Sequence, residues 1–190
     1  MELILEKKHG NRIEFNASGI GTGLANLIRR YSMVRVPVLA IDEITVYDNT
    51  SSFWDEYVAH RIGLMPVTTP KKTPKSAELT FVLDAEGPKT VYSNELKCSD
   101  KGISIAKDKI PVVTLAPNQR IKLEAVALLK KGTGHAKFQS GIVSYGLKDG
   151  KFKFMVESFF HMPPKDVIER GCDEIVSDIG ELEKALKKKK

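Results

Sequence analysis

The stretch PPKDVIERGCDEIVSDIGELEKAL (Pro163–Leu186) carries the clearest periodic signal in the sequence. Its residues Ile168, Cys172, Ile175, Ile179, Leu182 and Leu186 follow one another by 4, 3, 4, 3 and 4 positions, which predicts an amphipathic helix with a heptad seam. Asp166, Glu169, Asp173 and Glu174 come early and lysines late, the order that complements a helix dipole. Gly171 and Gly180 each cost about 1 kcal/mol relative to Ala, so such a helix depends on packing. Two arrangements fit: the seam lies on the core of its own domain, or it is shared with another chain. Burying the seam at roughly 1.5–3 kcal/mol per large side chain is worth on the order of 10 kcal/mol before entropy costs.

Working outward, the N-terminal end predicts a hairpin from Leu3, turning at His9-Gly10-Asn11 and returning through Arg12-Ile13-Glu14-Phe15. Ser18 is a candidate cap for a helix in which Ile20, Leu24, Leu27, Ile28, Tyr31 and Val34 fall at helical spacing, with Arg29, Arg30 and Arg35 near its flanks. An apolar extended segment follows, Val36 to Ile41, continued by Ile44-Thr45-Val46-Tyr47 to a polar turn at Asp48-Asn49-Thr50. Ser52 with Asp55 three residues on resembles a capping box, and Gly63 with Pro66 supplies the stop of a short helix. Phe53 and Tyr57, like Trp54 and Val58, are four apart on it, so apolar groups occupy more than one of its faces.

From Ala77 to Phe160 the pattern is β, with strands expected at 78–83, 110–115, 120–129 and 151–160 and a tight hairpin turn at Asp149-Gly150. In Lys151-Phe152-Lys153-Phe154 the alternation puts both phenylalanines on one face and both lysines on the other, which is core in and solvent out rather than a nucleic-acid platform.

Composition narrows the function classes. The 190 residues are 42% apolar and 28% charged, enough for one core or two small ones and unlike a disordered chain. Apolar runs stay well short of the roughly 20 residues of a membrane helix, and the start lacks the order of a signal peptide, so a soluble, cytoplasmic protein is expected. Lys187 to Lys190 contribute four of the net +6 charges, so the basicity is mostly a tail. Cys98 and Cys172 belong to no C-x-x-C pattern, and neither a zinc ribbon nor a disulfide framework is expected.

Enzyme signatures are weak. Gly19-Ile20-Gly21-Thr22-Gly23 follows a strand and precedes a helix, but Leu24 stands where a dinucleotide fingerprint needs its third glycine. His9, His60, His135 and His161 are scattered, with no metal-ligand spacing, and no nucleophile elbow is present. Asp42-Glu43 and Asp55-Glu56 are adjacent pairs whose side chains diverge, unlike an acid/base pair.

Three further stretches point elsewhere. Leu24-Ala25-Asn26-Leu27-Ile28-Arg29-Arg30 followed by Val36-Pro37-Val38-Leu39-Ala40-Ile41-Asp42, then Asp55-Glu56-Tyr57-Val58-Ala59-His60-Arg61-Ile62-Gly63-Leu64-Met65-Pro66, then Ala125-Val126-Ala127 with Gly134-His135-Ala136-Lys137-Phe138, occur in order and at matching spacing. Together they resemble the alpha-like assembly subunits of multisubunit DNA-directed RNA polymerases, and the layout resembles the archaeal D-type branch. Many members of that branch insert a cysteine-rich, ferredoxin-like iron-sulfur domain before the penultimate strand. Tyr145 to Lys151 runs through that place as a hairpin, so no cluster, metal or other cofactor is expected.

The resemblance implies an α+β fold with a discontinuous dimerisation domain (hairpin, first helix and C-terminal helix, residues 1–43 and 146–190) and an inserted, mostly β domain (44–145). It implies a non-catalytic role in transcription, within a nucleotidyltransferase complex whose chemistry belongs to other chains. A small alpha-like subunit, L, would pack on Leu24, Leu27, Ile28, Ile168, Cys172, Ile175, Ile179, Leu182 and Leu186. The large catalytic subunits would meet Arg29, Arg30, Asp55, Glu56, His60, Arg61, His135 and Lys137, and DNA would be reached only through the complex. For Asp55, Glu56, His60 and Arg61, capping and hydrogen bonding within the domain remain an equal alternative.

Overall fold

The computed structural model describes residues 1–74 and 76–188; Lys189 and Lys190 of the basic tail lie outside the described residues. The chain is α+β and divides into two units, one of residues 1–37 with 131–190, the other of residues 38–130.

In the first unit β1 (Glu2–His9) and β2 (Arg12–Ser18) form the expected hairpin, and β9 (Gly141–Lys148) and β10 (Lys151–Ser158) form a second one. The turn of the latter is Asp149-Gly150, both at positive φ (51° and 70°), as a two-residue hairpin requires. The four strands make an antiparallel sheet in the order β1-β2-β10-β9. Ile13, Ala17, Phe152, Phe154, Val156 and Val143 are buried on one face, where Phe15 stacks on Phe154 at 5.0 Å. The other face is charged: the Lys153 ammonium lies 2.9 Å from Glu6 and 3.4 Å from Glu14. The expected strand to Phe160 ends at Ser158, and Phe160 sits at φ 70°.

Helix α1 (Thr22–Val34) and helix α3 (Pro164–Lys187) pack on each other, α1 reaching β9 and α3 reaching β10 and β2. Ser18 does not cap α1. It closes β2, and the helix begins only after Gly19 at φ +71° and an extended Gly21, which has no side chain to cap it. The helix is thereby entered three residues later than a cap at Ser18 would start it. Its buried line is also unexpected: Ala25 and Ser32 are fully buried, while the larger Leu24 is exposed and Leu27 and Ile28 are half-buried.

In the second unit β3 (Val38–Asn49) is the extended segment expected from Val36 through Tyr47, with irregularities at Ile41/Glu43 and Val46/Asp48. After α2 (Asp55–Gly63) come β4 (Glu78–Glu86), β5 (Lys89–Tyr92), β6 (Lys97–Cys98), β7 (Pro111–Leu115) and β8 (Arg120–Lys130). They form a sheet ordered β3-β8-β4-β6 and a separate pair β5-β7. Leu39, Ile41, Phe81, Leu83, Ile121 and Leu123 of the larger sheet share one core with Val58 and Ile62 of α2 and Val113 and Leu115 of β7.

Ser52 is not the cap of α2 either. The helix starts at Asp55 behind Trp54, because Asn49 and Ser51 hold the preceding turn. The unit boundaries fall at 37/38 and 130/131, where the resemblance implied 43/44 and 145/146. β3 pairs with β8 from Val38 to Asn49 and cannot be divided, and β9 pairs along β10.

Candidate functional site

The seam of α3 does not lie on the line that faces α1. Gly171 and Asp178 face α1 and its end, and Glu174 faces the segment after β8: a Cβ on Gly171 would meet Ser32, Asp178 accepts from Tyr31 at 2.9 Å and Arg35 at 2.8 Å, and Glu174 pairs with Lys131 at 2.6 Å. Each precedes a seam residue by one position, which on an α-helix is a rotation of about 100°. Ile168 and Cys172 are therefore only half-buried; Ile175 is the seam residue that stays inside, buried with Val167 and Gly171. Farther along, Val176, Ile179, Leu182 and Leu186 are between 59% and 69% exposed. Val176 was not anticipated, since it falls outside the heptad steps; the rotation brings it into view.

The apolar face of the sheet is likewise wider than its helices cover. By register Leu3 pairs with Ala17, Leu5 with Phe15 and Leu147 with Phe152, so all three share the face of buried neighbours, yet all three are exposed. Burial pushes the Cys172 thiol up, away from the reactive thiolate form.

Of the basic pair on α1, Arg29 is half-buried and donates to the Asn26 side-chain oxygen at 2.9 Å from one terminal nitrogen. Arg30 is exposed and lines a groove of about 400 Å³ with Asn26, Leu27, Tyr31, Arg35 and Thr133. His135 and Lys137 close a short turn, the His135 Nδ1 accepting from the Lys137 backbone at 3.1 Å while the Lys137 ammonium sits 5.3 Å from the Phe138 ring.

On α2, Asp55, Glu56 and His60 are exposed. Arg61 is half-buried: its guanidinium donates to the Pro111 carbonyl at 2.5 Å and lies 5.9 Å from the centre of the Tyr57 ring. Asp55 accepts from the Asn49 amide at 2.7 Å. Arg61 and Asp55 thus have structural work within their unit, whereas Glu56 and His60 project into solvent. The glycines at 19–23 join β2 to α1, and β2 belongs to an antiparallel sheet, so the parallel βαβ unit of a dinucleotide fold is not formed there. Among the described residues no group of three or more His, Cys, Asp or Glu side chains is placed to hold a metal, and no helix is long and apolar enough to cross a membrane.

The profile of the RNA polymerase Rpb3/RpoA insert domain matches residues 39–144, more than half of the chain. The chain belongs to the Rpb3/RpoA family of RNA polymerase subunits. Within it, the chain is similar to archaeal proteins named DNA-directed RNA polymerase subunit Rpo3. That of Thermococcus kodakarensis is 42% identical over 149 residues, which cover 75% of this chain and 57% of the relative. That of Pyrococcus furiosus is 41% identical over 149 residues, with the same coverage of 75% and 57%. That of Methanocaldococcus jannaschii is 40% identical over 148 residues, 77% of this chain and 76% of the relative. The chain thus spans little more than half the length of the first two relatives. The Rpb3/RpoA insert profile contains nearly all of the second unit, and the unit that bears α1 and α3 lies mostly outside it.

Proposed function

We propose that this chain is a non-catalytic assembly subunit of DNA-directed RNA polymerase. It pairs through α1, α3 and the sheet beneath them with a small alpha-like subunit, L, and the pair forms the platform on which the large catalytic subunits assemble for transcription in the cytoplasm. Nucleotidyl transfer belongs to the complex, and the residues named here serve recognition.

The observation that supports this reading is the rotation between the two lines of α3. Gly171, Glu174 and Asp178 hold the helix to its own unit, while Val176, Ile179, Leu182 and Leu186 carry an apolar stripe into solvent. Leu3, Leu5 and Leu147 extend the uncovered apolar surface onto the sheet. Exposed apolar groups in such a row are expensive for a lone protein and suit a partner helix. On the large-subunit side, Arg30 at its groove and Glu56 and His60 on α2 are free of the intradomain roles that occupy Arg61 and Asp55.

The test is the mass of the chain by light scattering, alone and co-expressed with the small alpha-like subunit, for the native sequence and for Ile179→Asp with Leu182→Asp. A one-to-one heterodimer that the double variant abolishes, with its circular dichroism unchanged, supports the assembly role. A well-folded monomer indifferent to the small subunit overturns it.

A further inference from the structure

Helix α2 has a second apolar side that the core does not use. Val58 and Ile62 are fully buried, which leaves Phe53, Trp54 and Tyr57 outside at 43%, 83% and 48% exposure. Phe53 and Tyr57 are held in place, and Trp54 stands between them in sequence as the N-cap of α2. The Asn49 side-chain amide donates to the Phe53 carbonyl at 2.9 Å, the Ser51 hydroxyl donates to the Asn49 oxygen at 2.6 Å, and the Phe53 N–H donates to the Ser51 oxygen at 3.3 Å. Phe53 and Tyr57 are stacked, ring centres 4.8 Å apart and 14° from parallel. A pre-shaped aromatic knuckle loses little entropy on binding, and large aromatics held this way are the usual anchors of protein interfaces.

Charge selects the partner. Asp48 to Glu56 holds three carboxylates and no basic side chain, in a chain whose net charge is +6; Asp48 interacts with the Arg120 charge, which leaves Asp55 and Glu56 as the carboxylates beside the rings. A nucleic-acid strand stacking on these rings would bring phosphates to carboxylates, which is unfavourable. A guanidinium meets both needs at once, stacking on a ring while its N–H groups reach carboxylate oxygens. The surface already holds one such contact, the Arg61 guanidinium over Tyr57.

We propose that Phe53, Trp54 and Tyr57, with Asp55 and Glu56 beside them, form a docking surface for an arginine-bearing segment of another protein subunit of the polymerase. This deepens the assembly reading and depends on it. Trp54 is the anchor and Glu56 the charge partner.

Trp54 is the only tryptophan of the chain, so its oxidation by hydroxyl radicals, followed by mass spectrometry, reports on this surface alone. The comparison is between the isolated chain and the same chain in polymerase purified from cells. The expected result is slowing by about tenfold in the polymerase, and loss of about 30-fold in the chain's affinity for the remaining subunits in Trp54→Ala, as for a hot-spot aromatic. Glu56→Lys weakens the same association while circular dichroism stays native. A photocrosslinking phenylalanine derivative placed at Tyr57 is expected to capture a peptide containing arginine.

Equal oxidation in both states overturns the proposal, as does crosslinking to nucleic acid or to an acidic peptide. Failure of the chain to co-purify with polymerase at all overturns the assembly role together with this surface. Co-purification with Trp54 left open to oxidation overturns this surface alone.

Discussion

Tyr31 donates its hydroxyl to Asp178 at 2.9 Å, joining the last turn of α1 to the point on α3 just before its exposed apolar stretch. Arg35 adds a second bond to the same oxygen at 2.8 Å. The Tyr31 hydroxyl, followed by the Arg35 and Lys131 charges, holds the Asp178 carboxyl below its ordinary value of 3.8. The folded state therefore binds this proton less readily than the unfolded one. The stabilisation is complete above the ordinary value and is lost as pH falls through the lowered one. Hydrogen exchange of the α3 amides should be faster in Asp178→Asn than in the native chain at neutral pH. The difference should close well below pH 3.8. A difference independent of pH would show that the carboxylate charge is not what ties the helices.

Two glycines on α3 predict opposite outcomes for one substitution. Ala at either position gains about 1 kcal/mol of helix propensity. At Gly171 the new Cβ would lie 2.4 Å from the Ser32 hydroxyl oxygen and 2.9 Å from the Ser32 Cα, and backbone does not move aside cheaply. At Gly180 nothing lies within 4 Å. Denaturant melts should show Gly171→Ala destabilised by about 1–3 kcal/mol, the usual range for overpacking, and Gly180→Ala stabilised by up to about 1 kcal/mol.

Ser32 itself offers a gain. Its hydroxyl oxygen is buried without a hydrogen-bond partner among the described residues. Ser32→Ala removes a desolvated polar group and should raise stability by about 1 kcal/mol in the same melts. A loss of similar size would mean that the hydroxyl is satisfied in solution.

Ile175 and Ile179 belong to one seam but should respond differently to Asp. Ile175 is buried in its own unit, so Ile175→Asp should cost more than about 2 kcal/mol of the chain's stability. Ile179 is exposed, and Ile179→Asp should stay within about 0.5 kcal/mol while weakening association with the small subunit. Denaturation of the chain alone and light scattering of the pair separate the two effects.

In the second unit Phe81 on β4 is fully buried in the shared core of sheet and α2. Phe81→Ala should cost about 3–5 kcal/mol in urea denaturation, the range for removing a core aromatic. Far smaller loss would show that α2 does not rely on this core.

Local chemistry made much of this legible. The hairpin turns at Gly10-Asn11 and Asp149-Gly150, the strand from Arg120 and the start of α3 at Pro164 follow from residue types that admit few backbone alternatives. Ser18 and Ser52 do not start the helices, for a shared reason. A serine before an apolar run signals a cap only when no stronger turn intervenes, and Gly19 in one case and the turn from Asn49 to Phe53 in the other intervene. Trp54 and its neighbours signalled an apolar helix with two faces, but not which face would stay open.

By itself, then, the sequence determined the three helices and the longer strands, though not the short β5 and β6, together with the α+β class and, through its three ordered motifs, the family, because these depend on spacing and on near neighbours along the chain. Only the tertiary structure decided which side of α3 belongs to its own unit. That choice depends on the close approach of Gly171 to Ser32 and on the pairing of Asp178 with Tyr31, contacts between distant segments. Steric fit at a small residue outranks the apolar stripe there, and the stripe is turned outward as a consequence.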